Sequence, residues 1–174
     1  RNGWYCVDIY TGETIWYNKG TYPDGNGGFV EGRNAQLTLG QILCQDTVNW
    51  KGGIPYLWST GASTWAVWDA WSGDLQYTIV NAPSIQTAYM RDFSFVADPN
   101  GALIAYRFDR NAGTITMWNS SLLIDKEVSS QLRSIGRERP KYNLDWNAGI
   151  QWTATVPDVT NKYLITTWDT NDLS

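Results

Sequence analysis

A chain of 174 residues, 43% hydrophobic, 17% charged and −4 in net charge, can bury the core of one domain. It has neither the basic face of a nucleic-acid binder nor the composition of a disordered tail. With no histidine, it lacks the commonest metal ligand and the usual general base, which excludes a Ser-His-Asp site in its ordinary form. No apolar run is long enough for a membrane-spanning helix.

The chain opens on RNGWYC, which already reads as strand, so we expect a processed or excised piece of a longer protein. Next comes CVDIYTGETIW, where Asp8 precedes Gly12 by four and Trp16 by eight. An aspartate opening a turn accepts hydrogen bonds from backbone N–H groups two residues on. Glycine supplies the positive φ that closes a hairpin. TYPDGNGGFVEGRN (21–34) then reads as a long glycine-rich loop, and GQILCQDTV (40–48) and PYLWSTG (55–61) as strands.

The opening pattern recurs in AVWDAWSGDLQY, with Asp69, Gly73 and Tyr77 at the same offsets. Leu75, Tyr77 and Ile79 alternate there, and we expect them to share a face. TAYMRDFSFVA (87–97), the DPNG turn (98–101) and ALIAYRFD (102–109) lead into a third copy, Asp109 and Gly113, with Met117 eight on and Trp118 beside it. The segment 122–142 carries eight of the 30 charged residues, and Val128, Leu132 and Ile135 fall at helical spacing. They predict a short helical insertion near 122–139. A fourth copy has Asp145 and Gly149, with Trp152 one place early; GIQWTATV (149–156) leaves it, and KYLITTWD (162–169) begins another strand. The four aspartates lie 61, 40 and 36 residues apart. Strand–turn–strand units at such intervals predict an all-β chain of propeller blades or an array.

These residues resemble the tryptophan-docking repeat of PQQ-like, quinoprotein-type β-propellers, Ala-x-Asp-x-x-Thr-Gly-x-x-x-Trp. In the first copy Asp8, Thr11, Gly12 and Trp16 match, with Cys6 for the alanine. The second keeps Asp69 and Gly73, with Val67, Ser72 and Tyr77 for the alanine, threonine and tryptophan. The third keeps Asp109 and Gly113, with Ala112 for the threonine and Trp118 one place late. The fourth keeps Asp145 and Gly149, with Trp152. The stretches PYLWST, TWAVWDAWSG and ITMWNSS further resemble large secreted archaeal proteins that carry such propellers. The resemblance implies that residues 1–174 form one propeller section of about three to four four-stranded antiparallel blades, in which each tryptophan stacks between blades and each motif is structural. A generic β-sandwich is the other architecture. The quinoprotein chemistry is not implied. The family's vicinal cysteine pair is absent, and no residue matches its carboxylate base or calcium ligands, so no PQQ is expected.

Asp24-Asn26-Gly28, Asp109-Asn111-Gly113 and Asp145-Asn147-Gly149 alternate oxygen ligands as calcium loops do, and Asp24 with Asn26 is the best Ca²⁺ candidate. None reaches the distant glutamate of an EF-hand. Asp69 with Asp74 and Asp8 with Glu13 are the near carboxylate pairs a glycosidase would use, though both flank turns. Trp58, Trp65, Trp68 and Trp71 cluster as a platform for sugars, but alternation sends Trp65 and Trp68 to opposite faces and leaves Trp71 in a turn. Cys6 and Cys44 either form one disulfide or stay as two buried thiols. Asn119-Ser120-Ser121 is a glycosylation sequon.

Together these readings predict a non-enzymatic extracellular or cell-surface scaffold. Its partners are the rest of a propeller, other protein chains or glycans, with no nucleic acid and no membrane span. The alternative is part of a quinoprotein-like dehydrogenase or glycan-active propeller whose catalytic residues lie outside this chain.

Overall fold

The computed structural model describes residues 3–47, 50–85, 93–109, 111–124 and 141–155. The expected helix near 122–139 falls almost wholly outside them, as does the strand at 162–169. Among the described residues the chain is all-β, with short 3-10 turns at Gly32–Ala35, Ser120–Leu122 and Trp146–Gly149. Among the described residues no helix is long and apolar enough to cross a membrane.

Four sheets are formed by the described residues. A hairpin pairs β1 (Trp4–Val7) with β2 (Thr14–Asn18). A short ladder joins β3 (Tyr22–Pro23) to β4 (Phe29–Val30), so the 21–34 segment is not the plain loop that its glycines suggested. A meander of β5 (Leu39–Thr47), β6 (Trp50–Ser59), β7 (Trp65–Asp69) and β8 (Leu75–Val80) gains β12 (Lys141–Asp145) as a parallel edge strand. The last sheet runs β13 (Ile150–Thr155), β11 (Thr114–Asn119), β10 (Leu103–Asp109), β9 (Phe93–Ala97), all antiparallel.

Among the described residues the sheets do not close into a ring; β9, β10, β11 and β13 form a four-stranded antiparallel sheet as a blade requires, whereas the β5–β8 meander is extended by a fifth, parallel strand. The fourth Asp-Gly unit is the cause. Its strands, β12 and β13, do not pair with each other as a hairpin. A 3-10 turn at 146–149 carries the chain from the edge of the five-stranded sheet to the edge of the four-stranded one. Trp146, nearly inaccessible to solvent, holds this crossing in place.

The five-stranded sheet lies between two layers. One face carries Leu43, Tyr56, Trp58, Trp65, Val67, Tyr77 and Ile79, and packs on Phe93, Leu103, Ala105 and Trp118 of the four-stranded sheet. Trp65 makes edge contacts with Phe93 at 5.9 Å and Trp118 at 5.5 Å between ring centroids. Each such pair adds about 1 kcal/mol beyond the area it buries. The opposite face carries Ala66 and Trp68, covered by Tyr22, Val30 and Ala35, with Trp4 and Leu37 alongside. Trp65 and Trp68 thus serve the two opposite faces that alternation predicts. Leu75 packs with the second cluster rather than beside Tyr77, because the register slips between β7 and β8: Val67 faces Tyr77 and Trp68 faces Leu75, leaving Gln76 as a bulge.

Polar ties fix the layers. Tyr22 donates its hydroxyl to the Thr64 carbonyl (2.8 Å), pinning the 21–34 segment on the sheet, and burial pushes its pKa up to about 12. Gln41 accepts from Trp58 Nε1 (2.9 Å) and donates to the Gly101 carbonyl (2.8 Å), which ties β5 to the β9–β10 turn. That buried amide bridges two layers, and no spacing in the sequence singled it out.

Candidate functional site: the aspartate turns

The Asp8 and Asp69 turns have the same construction. Asp8 Oδ1 accepts from Tyr10 N (2.7 Å) and Thr11 N (3.1 Å); Asp69 Oδ1 accepts from Trp71 N (2.7 Å) and Ser72 N (3.2 Å). Gly12 N and Gly73 N each donate to their aspartate's carbonyl at 2.8 Å. The Thr11 and Ser72 hydroxyls accept from Glu13 N and Asp74 N, both at 3.2 Å. Each outgoing strand also carries one bulged residue, Ile15 or Gln76, which sets Trp16 opposite Cys6 and Tyr77 opposite Val67.

The third and fourth turns diverge. Asp109 Oδ1 accepts from Asn111 N (3.1 Å) and Ala112 N (2.9 Å), and these bonds, with the Arg107 ion pair at 3.2 Å, hold its carboxyl below the usual range. No bulge follows, so Thr116 rather than Met117 faces Arg107, and Trp118 faces Ala105. Asp145 Oδ1 accepts from Asn147 N (3.0 Å), its Nδ2 (3.0 Å) and Asn81 Nδ2 (3.3 Å); the Asn147 backbone bond is the main reason its pKa is lowered.

Two tryptophans reach across to another unit's turn with the same contact. Trp16 Nε1 donates to the Ala70 carbonyl (3.2 Å), and its ring lies over Gly73, where an added Cβ would sit 2.6 Å from Cδ2. Asn18 Nδ2 reinforces this by donating to the Gly73 carbonyl (2.7 Å). Trp118 Nε1 donates to the Trp146 carbonyl (2.9 Å), and its ring lies over Gly149, where a Cβ would come within 2.7 Å of Cε2. In both cases the acceptor is the residue after the aspartate and the ring covers the glycine four after it. The one-place displacement of Trp118 turns it toward the five-stranded sheet, where it also stacks on Trp146, the planes 3° apart. Tyr77 lies buried against Tyr56. Trp152 is 38% exposed and leans on Tyr106 at the outer face of the four-stranded sheet.

The remaining candidates are placed as follows. Asp24 Oδ1 accepts from Asn26 N (2.7 Å) and Gly28 N (2.9 Å), and its backbone carbonyl takes the Thr64 hydroxyl (2.6 Å). Asn26 thus gives the turn a backbone donor, and among the described residues no three acidic, cysteine or histidine side chains gather as a metal site. Cys6 and Cys44 are free thiols, Cys44 exposed, so they are neither bridged nor both buried. Asn119 Oδ1 accepts from Ser121 N (2.9 Å), and its Nδ2 donates to the exposed Gln151 (3.2 Å). Trp58, Trp65 and Trp68 are fully buried, so the sugar platform expected of the cluster reduces to Trp71, 68% exposed. Sequence reasoning missed Tyr10, 92% exposed at the tip of the first turn. The signal was available: Tyr10 and Trp71 each stand two residues after their aspartate.

Comparison with protein-family models, curated proteins and solved structures gave no match.

Proposed function

We propose that the chain is a section of a β-propeller-type scaffold. It is non-enzymatic, lies outside the cell or on its surface, and holds protein or glycan partners through its turns and open sheet faces. The observation that supports this best is an open counterpart of the Trp16 contact. Gly73 is covered by an indole from the neighbouring unit, whereas a Cβ at Gly12 would meet nothing within 4 Å. Beside Gly12, Tyr5, Val7 and Tyr17 are exposed, while the matching positions one unit on, Ala66, Trp68 and Thr78, are buried. Apolar surface of this kind, at the positions that the internal interface uses one unit on, is what a further unit or partner chain covers. The Asn119 sequon, whose side-chain nitrogen donates to the exposed Gln151, accords with an extracellular placement.

The test is a native mass spectrum of the purified protein without reductant. A mass above the 19.7 kDa of the chain, from partner chains or attached glycans, is the expected result. A bare monomer at that mass overturns the scaffold reading.

A further inference from the structure

The tips of the first two turns carry a surface that the docking contacts leave unused. The two turns share one set of hydrogen bonds, so the second residue after each aspartate occupies the same place in each. In the first turn it is Tyr10, in the second Trp71, 92% and 68% exposed. Trp16 and Asn18 bind the second turn directly, so the two tips stand on adjacent layers. Beside each ring are a hydroxyl and a carboxylate: Thr11 and Glu13 in one turn, Ser72 and Asp74 in the other, all exposed. Each hydroxyl accepts a backbone N–H and keeps its own proton to donate. No lysine or arginine occurs in either turn, 8–13 or 69–74.

We propose that Tyr10 and Trp71 form a two-subsite platform for a neutral, repeating glycan. The chemistry matches a pyranose chain. A sugar ring offers an apolar C–H face to an aromatic ring and a rim of hydroxyls that both donate and accept. Each tip supplies the aromatic face, a donor hydroxyl and an accepting carboxylate. The carboxylates disfavour acidic sugars and other anions. The repetition of the set on successive layers suits a polymer that presents the same face again further along, and the bonded turns fix the backbone beneath both rings before binding, which reduces the ordering cost. This deepens the scaffold reading by naming its ligand, and it rests on the side-by-side turns.

The experiment is a titration of the purified chain with cellohexaose, maltohexaose and mannohexaose and their disaccharides, followed by tryptophan emission and acrylamide quenching. Among the described tryptophans Trp71 is the most open to the quencher. At least one hexaose is expected to shift emission to the blue, to protect Trp71, and to bind at least tenfold more tightly than its disaccharide. Trp71→Ala and Tyr10→Ala each abolish that tenfold advantage at unchanged Tm, and Tyr10→Phe keeps it, since stacking needs the ring and not the phenol. If no oligosaccharide perturbs Trp71, or if only a co-purifying protein protects it, the platform is overturned. That failure with an assembly heavier than the single chain leaves the scaffold reading standing. Glycan binding by a bare monomer keeps the platform and removes the scaffold.

Discussion

Trp118→Ala is expected to destabilise the protein by about 4 kcal/mol, the usual cost of truncating a large aromatic in a packed core. In a chain of this length that lowers Tm by roughly 10 °C. Trp118 is fully buried between the two large sheets and meets Trp58, Trp65 and Trp146. Its indole N–H is also the donor that holds the crossing turn at Trp146. Truncation therefore opens a cavity and frees the strap that carries β13 to its sheet. Trp118→Phe keeps most of the packing but loses the hydrogen bond and part of the ring, so it should cost less, about 2 kcal/mol. Urea unfolding monitored by circular dichroism measures both variants. A cost below about 1 kcal/mol for the alanine variant would show that Trp118 does not sit between the sheets.

The second large effect is expected at Gly101. It adopts φ +85°, and a Cβ there would strike the Ile42 carbonyl, with its carbon at 2.8 Å and Leu43 Cα at 3.1 Å. Backbone on both sides of the contact leaves nothing flexible to give way. The turn also receives Cys44 N on the Asn100 carbonyl (2.7 Å) and Gln41 Nε2 on the Gly101 carbonyl (2.8 Å), so moving it breaks the tie between the two large sheets. Gly101→Ala should cost about 3–5 kcal/mol, the sum of a left-handed alanine, the clash and the lost bonds. Gly12→Ala is the control. Its φ is +75° but its surroundings are open, so only the conformational penalty of about 1 kcal/mol applies. Equal losses in the two variants, read from the same unfolding curves, would show that β5 and the 98–101 turn are not in contact.

The sequence carried the local structure well and the assembly of strands poorly. Asp8, Asp69 and their glycines announced two turns that the structure builds almost bond for bond, because an aspartate carboxylate and a glycine at those offsets act within a few residues. The strand positions near 40–48, 55–61, 102–109 and 149–156 were legible for the same reason, from β-branched and aromatic runs. The fourth unit was not. Asp145 and Gly149 look like the ends of one more hairpin, yet the choice between pairing β12 with β13 and sending them to β8 and β11 depends on partners far along the chain. The bulges at Ile15 and Gln76 were equally hidden; the first sets Trp16 opposite Cys6, and the second decides which face Leu75 serves. Asn18 and Gln41, which bind one layer to the next, carry no local pattern at all. The candidate site was half visible: Trp71 stood out in its turn, but its counterpart Tyr10 gains meaning only once Trp16 has brought the two turns together.

Layers joined by an indole docked on a neighbouring turn are the centre of this account, and the indole N–H groups report on it directly. In protein labelled with ¹⁵N-tryptophan, with signals assigned by single Trp→Phe variants, hydrogen exchange at Trp16 and Trp118 Nε1 should be slowed well below that at exposed Trp71. Both of those groups are bonded to carbonyls of another unit's turn. If Trp16 exchanges as fast as Trp71, the first hairpin does not dock on the second turn and the layered array is wrong.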